Sequence, residues 1–365
     1  MEKRIIAIHL PQFYPFPEND EWWGKGFTEW RNVAKAKPRF WRHYQPHIPA
    51  DLGFYDLRLK ECRMAQQEMA KQYGVYGFCY YHYWFNGKLI MERPVEEMLK
   101  NKEEDFPFMF CWANENWSRN WSGGFNKTLI EQHYSEEDDI NHFNYLLPFF
   151  KDHRYIKVDG KPVICVYKAH LIPSFEKTAQ TWQSEAKKEG MKLYICHFEA
   201  GESRDKKYLT PTVDAAVEFQ PLYLGKFGRY SNLLYNLSRK FLHKEIFNKI
   251  VNYTKYVNYL CTQSIAVDYK RYPSVCPSWD NSPRRVNGHF FAFTHSTPAA
   301  FKKWLSHVYT HFKPFSKEEN FIFINAWNEW AEGNHLEPDL KNGTGYLEAI
   351  KEVIDTNENH EAYGG

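Results

Sequence analysis

Eight short runs of apolar, β-branched or aromatic residues recur along the chain: 4–10 (RIIAIHL), 75–85 (VYGFCYYHYWF), 107–114 (PFMFCWAN), 162–167 (PVICVY), 193–199 (LYICHFE), 215–220 (AAVEFQ), 274–279 (SVCPSW) and 321–327 (FIFINAW). Helix-like stretches fall between most of them or follow the last, at 57–73, 94–101, 136–151, 174–189, 298–312 and 345–355. Strands separated by helix-length segments pair in parallel, because a parallel neighbour needs a long crossover. Eight such units are the number that closes a (β/α)8 barrel of the TIM type; a doubly wound open sheet is the alternative. We expect the barrel, as a single α/β domain over 1–365.

The runs begin apolar and end in reactive side chains. Their C-terminal ends carry His9, His82 with Trp84, Asn114 with Glu115, His197 with Glu199, Glu218 with Gln220, Asp280 with Asn281, and Asn328 with Glu329. Barrel active sites are built at that face.

The last run continues into AWNEWAEGNHLEP, which places Glu329, Glu332 and Glu337 within nine residues, beside Trp327, Asn328 and Trp330. Strand alternation sends Ile322, Ile324 and Ala326 towards the helices, and Phe323, Asn325, Trp327 and Glu329 into the barrel. Glu332 would point away on a continued strand. Gly333 permits the turn that returns it to the same cleft. Two carboxyls in an aromatic cleft suit acid–base work at a glycosidic bond, burial raising the pKa of one so that it can donate a proton. The plainer alternative is a pair of salt-bridged structural acids. We take Glu329 and Glu332 as the catalytic candidates.

Composition bears on the ligand. Aromatic residues make up 18% of the chain, with 13 Trp and 25 Tyr. Their apolar faces and polar edges suit stacking on sugar rings, although a Trp-rich core is the simpler use. The candidate sugar contacts are Trp22, Trp23 and Trp30 in the long 11–56 connection, expected to fold over the mouth; His82, Tyr83 and Trp84; Trp112, Asn114 and Glu115 in CWANENW; His197 and Glu199; Asp280; and Trp327, Asn328, Trp330 and Glu337. Glu115 is a reserve catalytic candidate.

Charge and motif searches narrow the class. A formal charge of +2 gives no reason to expect a nucleic-acid partner. The seven cysteines are scattered without C-x-x-C, and five lie in apolar runs as small buried hydrophobes. This predicts a reduced, cytoplasmic protein. No zinc-ligand spacing, dinucleotide fingerprint, Walker loop or G-x-S-x-G elbow is present, so no metal or cofactor is expected. The 224–273 segment has nine bases against two acids. Leu242, Ile246, Ile250, Tyr253 and Val257 fall at helical spacing within it. We expect a basic helical insertion, either packed on the barrel or offering a surface to a membrane or a lipid-linked glycan.

The stretches IAIHLPQFYP, WWGKGFTEW, PHIPADLGFYDLR, YGFCYYHYWF, FCWANENW and AWNEWAEGNHLEP together resemble the WbsX-type family, described as glycosyltransferases of bacterial surface-polysaccharide clusters with a glycoside hydrolase family 99-like domain. The resemblance covers nearly the whole chain and is weakest over 224–273. It implies a (β/α)8 barrel and an α-mannosidase-like site. By that resemblance Glu329 would deprotonate a sugar 2-hydroxyl, which attacks the anomeric carbon to give a 1,2-anhydro sugar. Glu332 would protonate the leaving oxygen and then activate the acceptor, with retention of configuration. The expected substrate is an oligosaccharide or polysaccharide. A transferase using an activated donor and a non-catalytic glycan-binding barrel are the alternatives. The chain has no D-x-D tripeptide of the kind many nucleotide-sugar transferases carry.

Overall fold

The computed structural model describes residues 2–118, 128–221, 237, 240–241, 248–285 and 289–363. Eight parallel strands form its centre: β1 Arg4–His9, β2 Gly77–Phe85, β3 Phe108–Trp112, β4 Lys161–Val166, β5 Tyr194–Phe198, β6 Ala215–Val217, β7 in two pieces, Arg271–Tyr272 and Ser274–Val275, and β8 Phe321–Ile324. Each pairs with the next, and β8 pairs back onto β1, Arg4 opposite Phe321. Pro273 divides β7, because proline supplies no N–H to the ladder. The first half of β7 pairs with β6 and the second with β8, so one strand completes the circuit. The Pro273 carbonyl still accepts from Phe323 N at 2.9 Å. The chain is a (β/α)8 barrel.

Helices α1 Pro17–Trp23 and α2 Glu29–Ala34 lie in the first long connection. The others are α3 Lys60–Gln72, α4 Arg93–Lys100, α5 Glu136–Lys151, α6 Phe175–Lys188, α7 Tyr253–Leu260, α8 Pro298–His311 and α9 Gly345–Tyr363. Hydroxyl caps start three of them: Ser135, Ser174 and Thr297 each accept from an N–H three residues on.

The faces of β2 and β3 fix what lines the lumen. On β3, Phe110 meets Phe149 of α5 at 5.0 Å and Trp112 meets Trp182 of α6 at 5.8 Å. On β2, His82 meets His142 of α5 at 2.9 Å. The alternate residues therefore face inward: Cys79, Tyr81 and Tyr83 on β2, Cys111 on β3 and Cys165 on β4. Cys111, Cys165 and Cys196 sit in register on adjacent strands. All seven cysteines are unpaired, and five are buried.

Among the described residues of 224–273, the expected helix is present only in part. Ile250 lies in a short strand, Lys249–Asn252, paired in parallel with Phe291–Thr294. The helix begins only at Tyr253, with Asn252 as its cap. Tyr253, Tyr256 and Val257 bury against α8, Tyr256 lying 5.8 Å from Trp304. Leu242 and Ile246 lie outside the described residues. Lys270 and Arg271 are ion-paired to Glu319 and Glu199 rather than contributing to an open basic face. Among the described residues, no helix is long and apolar enough to cross a membrane.

Candidate active site

Past β8 the chain does not continue as a strand. Trp330–Glu332 forms one 3-10 turn, ended by Gly333 at φ +55. The chain then reverses, and Asn328–Glu329 pairs antiparallel with Asn334–His335. A Cβ at position 333 would lie 2.9 Å from Asp280 Cβ, so glycine is required by space as well as by φ. This turn returns Glu332 to the side of Glu329.

The two carboxyls meet at Arg284. Arg284 Nη1 donates to Glu332 Oε1 at 2.6 Å and Nη2 to Glu329 Oε2 at 2.8 Å. Its Nε donates to Glu29 Oε1 at 2.5 Å. Arg284 ends the 3-10 turn Ser282–Arg284, which Asp280 starts by accepting from Ser282 N at 3.0 Å. Glu29 stands in the first turn of α2. One guanidinium therefore joins the strand end, the Ser282–Arg284 turn and the long connection. All four residues are at most 9% exposed. Burial lifts Glu329 and Glu332 above the usual carboxyl range, and Arg284 pulls against it. Burial also raises the phenols of Tyr81, Tyr83 and Tyr167, with the charge of Glu329 adding to each. These three tyrosines come from inward-facing positions at the ends of β2 and β4. The site is thus a carboxyl pair with a shared cation, with three phenols near enough to feel the charge of Glu329.

The remaining expected contacts divide sharply. Tyr83 faces this site and meets Trp117 edge-on at 5.4 Å, and Trp117 lies 6.5 Å from Trp22. Glu115 pairs with Lys168 near the same rim, its side chain 44% exposed. Trp23 packs on Phe27 at 5.8 Å, within its own loop.

Others turn away. His82 and Trp84 lie on the outer face of β2; Trp84 Nε1 donates to Asp138 of α5 at 2.9 Å. Trp112 is fully buried between barrel and helices. His197 is likewise buried, near Phe175 of α6. Glu199 is consumed by Arg271 and Tyr269. The Asn114 amide is spent on Lys168, donating to its O at 2.9 Å and accepting from its N at 2.8 Å.

The motif's own tryptophans are packing residues. Trp327 does not point into the lumen; it meets Phe78 at 4.9 Å on the helix-facing side. Trp330 lies between Trp30, at 5.4 Å, and His335, stacked at 3.7 Å. Trp30 is itself fixed by its Nε1 donating to Tyr55 O at 2.8 Å. Asn328 ties the turn to β1, accepting from Leu10 N at 2.7 Å and donating to Leu10 O at 3.0 Å. Glu337 is 1% exposed and accepts from Tyr55, Gln66 and Trp330. Burial pushes it up to about 7. Asp280 is held by His43 and Gln45, both at 2.6 Å, behind the turn rather than in the carboxyl site.

Sequence reasoning missed Arg284, Glu29, Tyr81 and Tyr167. The tyrosines share the inward phase of the strand cysteines, which was the available signal. Glu29 stands in WWGKGFTEW, but nothing local marks it as facing Glu329.

The parallel eight-stranded barrel is a fold shared with solved glycoside-hydrolase-like structures. Solved structures agree on the fold. A "glycoside hydrolase-like protein" superposes with a TM-score of 0.60 at 15% identity, covering 97% of this chain and 94% of its own. The GH99 endo-alpha-mannosidase from Bacteroides thetaiotaomicron superposes with a TM-score of 0.59 at 13% identity, covering 99% of both chains. The sequence profile described as glycosyltransferase WbsX matches residues 5–350, and the chain belongs to that family. It is 36% identical over 355 residues to the uncharacterized protein WxcX of Xanthomonas campestris pv. campestris, in two strains. That match covers 96% of this chain but only 49% of WxcX, so the chain spans about half the length of these relatives.

Proposed function

We propose that the barrel cleaves or transfers a glycosyl unit of an oligosaccharide or polysaccharide with retention of configuration, using Glu329 and Glu332. The observation that carries this is the convergence of both carboxyls on Arg284 at the mouth, with Tyr81, Tyr83 and Tyr167 nearby. A low-dielectric site raises the proton affinity of both acids, and the shared guanidinium keeps them from being neutralised together. One can then hold a proton for the departing oxygen while the other accepts one. In the family-like assignment Glu329 takes the proton of the sugar 2-hydroxyl, which closes on the anomeric carbon. Glu332 gives its proton to the leaving oxygen as that bond breaks, then removes one from the incoming acceptor, which opens the anhydro ring at the anomeric carbon while Glu329 returns its proton to the 2-oxygen. The phenols offer hydroxyls to the sugar's oxygens and apolar faces to its ring.

The family description favours a second reading, transfer from an activated donor. An enzyme of polysaccharide assembly in a reducing compartment fits the unpaired cysteines. The two readings separate in one experiment, incubation with α-mannosides and bacterial surface oligosaccharides, with and without nucleotide sugars. New reducing ends without a donor support hydrolysis. Products that form only with a donor support transfer. Binding without turnover under every condition would overturn both in favour of a glycan-binding barrel.

A further inference from the structure

Behind the carboxyl turn lies a second cluster, built by the other side of the same hairpin. His335 Nε2 lies 2.8 Å from His47 Nδ1 and 3.8 Å from Asp339 Oδ2. One ligand atom from each of His47, His335 and Asp339 lies within 4.8 Å of the other two, and all three residues are buried. They line a cavity of about 480 Å³, whose walls also include His43, Tyr44 and Asp280.

The cluster is held in place from several directions. Ala50 N donates to Pro338 O and Leu340 N to Ile48 O, both at 2.9 Å, so the chain after His47 is locked to the chain around Asp339. His335 stacks on Trp330. Its Nδ1–H donates to Glu337 O at 2.8 Å, which leaves the Nε2 lone pair turned towards His47 and Asp339. A backbone carbonyl behind a histidine in this way is how metal-bound imidazoles are oriented. Asp339 Oδ1 accepts from the backbone N–H of Lys341 and Asn342, fixing the carboxylate.

The distances suit a small divalent ion. Bonds of about 2.0–2.1 Å in a tetrahedral zinc site separate donor atoms by about 3.4 Å. The observed 2.8 Å and 3.8 Å bracket that spacing. We infer that His47, His335 and Asp339 form a site for a divalent cation of the zinc class, with a fourth position open to the cavity. Two imidazoles and one carboxylate with an open position are the ligand complement of zinc sites that keep a water. The ion would cross-link the long first connection to the hairpin that carries Glu329 and Glu332. Lys341, on the same wall, opposes a cation, while Asp280 and Asp339 favour one. The competing arrangement is a simple hydrogen bond from His47 to His335. The three ligands are 288 and four residues apart in the sequence, so no ligand spacing reveals them.

The test uses the whole chain, dialysed against chelator and titrated with zinc chloride. The expected result is one zinc per chain by elemental analysis, a rise in melting temperature, and loss of both in His335→Gln. Because a buried histidine variant can misfold, the unaltered protein is also titrated with cobalt chloride. Visible d–d bands of a four-coordinate nitrogen–oxygen site are expected, displaced by one equivalent of zinc. Zinc held equally by a folded His335→Gln variant would overturn the proposal. So would an unaltered protein that gives no bands and no thermal shift.

Discussion

Replacing Arg284 with glutamine would leave Glu29, Glu329 and Glu332 facing one another without the cation that bonds all three. Removing one partner of a buried ion pair costs about 3–5 kcal/mol. Urea unfolding of Arg284→Gln should show a loss in that range, and Arg284→Lys a smaller one. Any residual activity should reach its optimum at higher pH, because Arg284 is the group opposing the upward shift of both acids. At this scale the sequence disclosed the acids and hid their partner. Glu329 and Glu332 are legible from their spacing beside a strand end. Arg284 arrives from a turn 45 residues upstream of Glu329, and only the closed barrel brings the two together.

The hairpin that returns Glu332 to Glu329 depends on Gly333. Gly333→Ala forces a side chain into positive φ and into Asp280, a strain of about 1–3 kcal/mol. Thermal unfolding should record that loss. Activity should fall further than stability, since the turn sets the separation of the two carboxyls. The strands teach the complementary lesson. Every residue of β2 is buried, so its two faces read alike, and the sequence does not separate inward Tyr83 from His82 and Trp84 on the opposite face. A strand covered on both sides carries no hydrophobic alternation to read. Its existence is legible in the sequence, but its phase is not. In the same way the expected alternation holds only to the end of β8 at Ile324, and Trp327, beyond it, takes the opposite face.

The whole molecule should respond to acid in two stages. Burial holds His9 and His82 near 3 and His197 near 4, against about 6.5 when unfolded. The native state therefore binds fewer protons, and this stability, full above 6.5, is lost as pH falls, by about 1.4 kcal/mol per unit for each group. Glu337 has the opposite sign. Raised to about 7 by burial, it binds a proton in the native state that the unfolded chain releases, so it adds stability as pH falls from 7 to about 4.5. Glu329 and Glu332, also raised, act in the same direction. The two effects offset each other between pH 7 and 5. Below about 4.5 the carboxyl gain is complete and the histidine loss continues. Melting temperature should be nearly flat from pH 7 to 5 and then drop steeply. At this scale eight recurring runs disclosed the barrel, whereas its closure through a strand divided at Pro273 emerged only from the pairing.

The central claim is that Glu329 and Glu332 act on a glycosidic bond. It is tested most directly by mass-spectrometric turnover of one responsive glycan by the unaltered chain, Glu329→Gln and Glu332→Gln, each checked for native folding. Acid–base groups of this kind contribute about 10²–10⁴-fold. The account predicts that each variant loses at least 100-fold in turnover, on the order expected for such groups, while still binding the glycan. Unchanged turnover in either folded variant would contradict it.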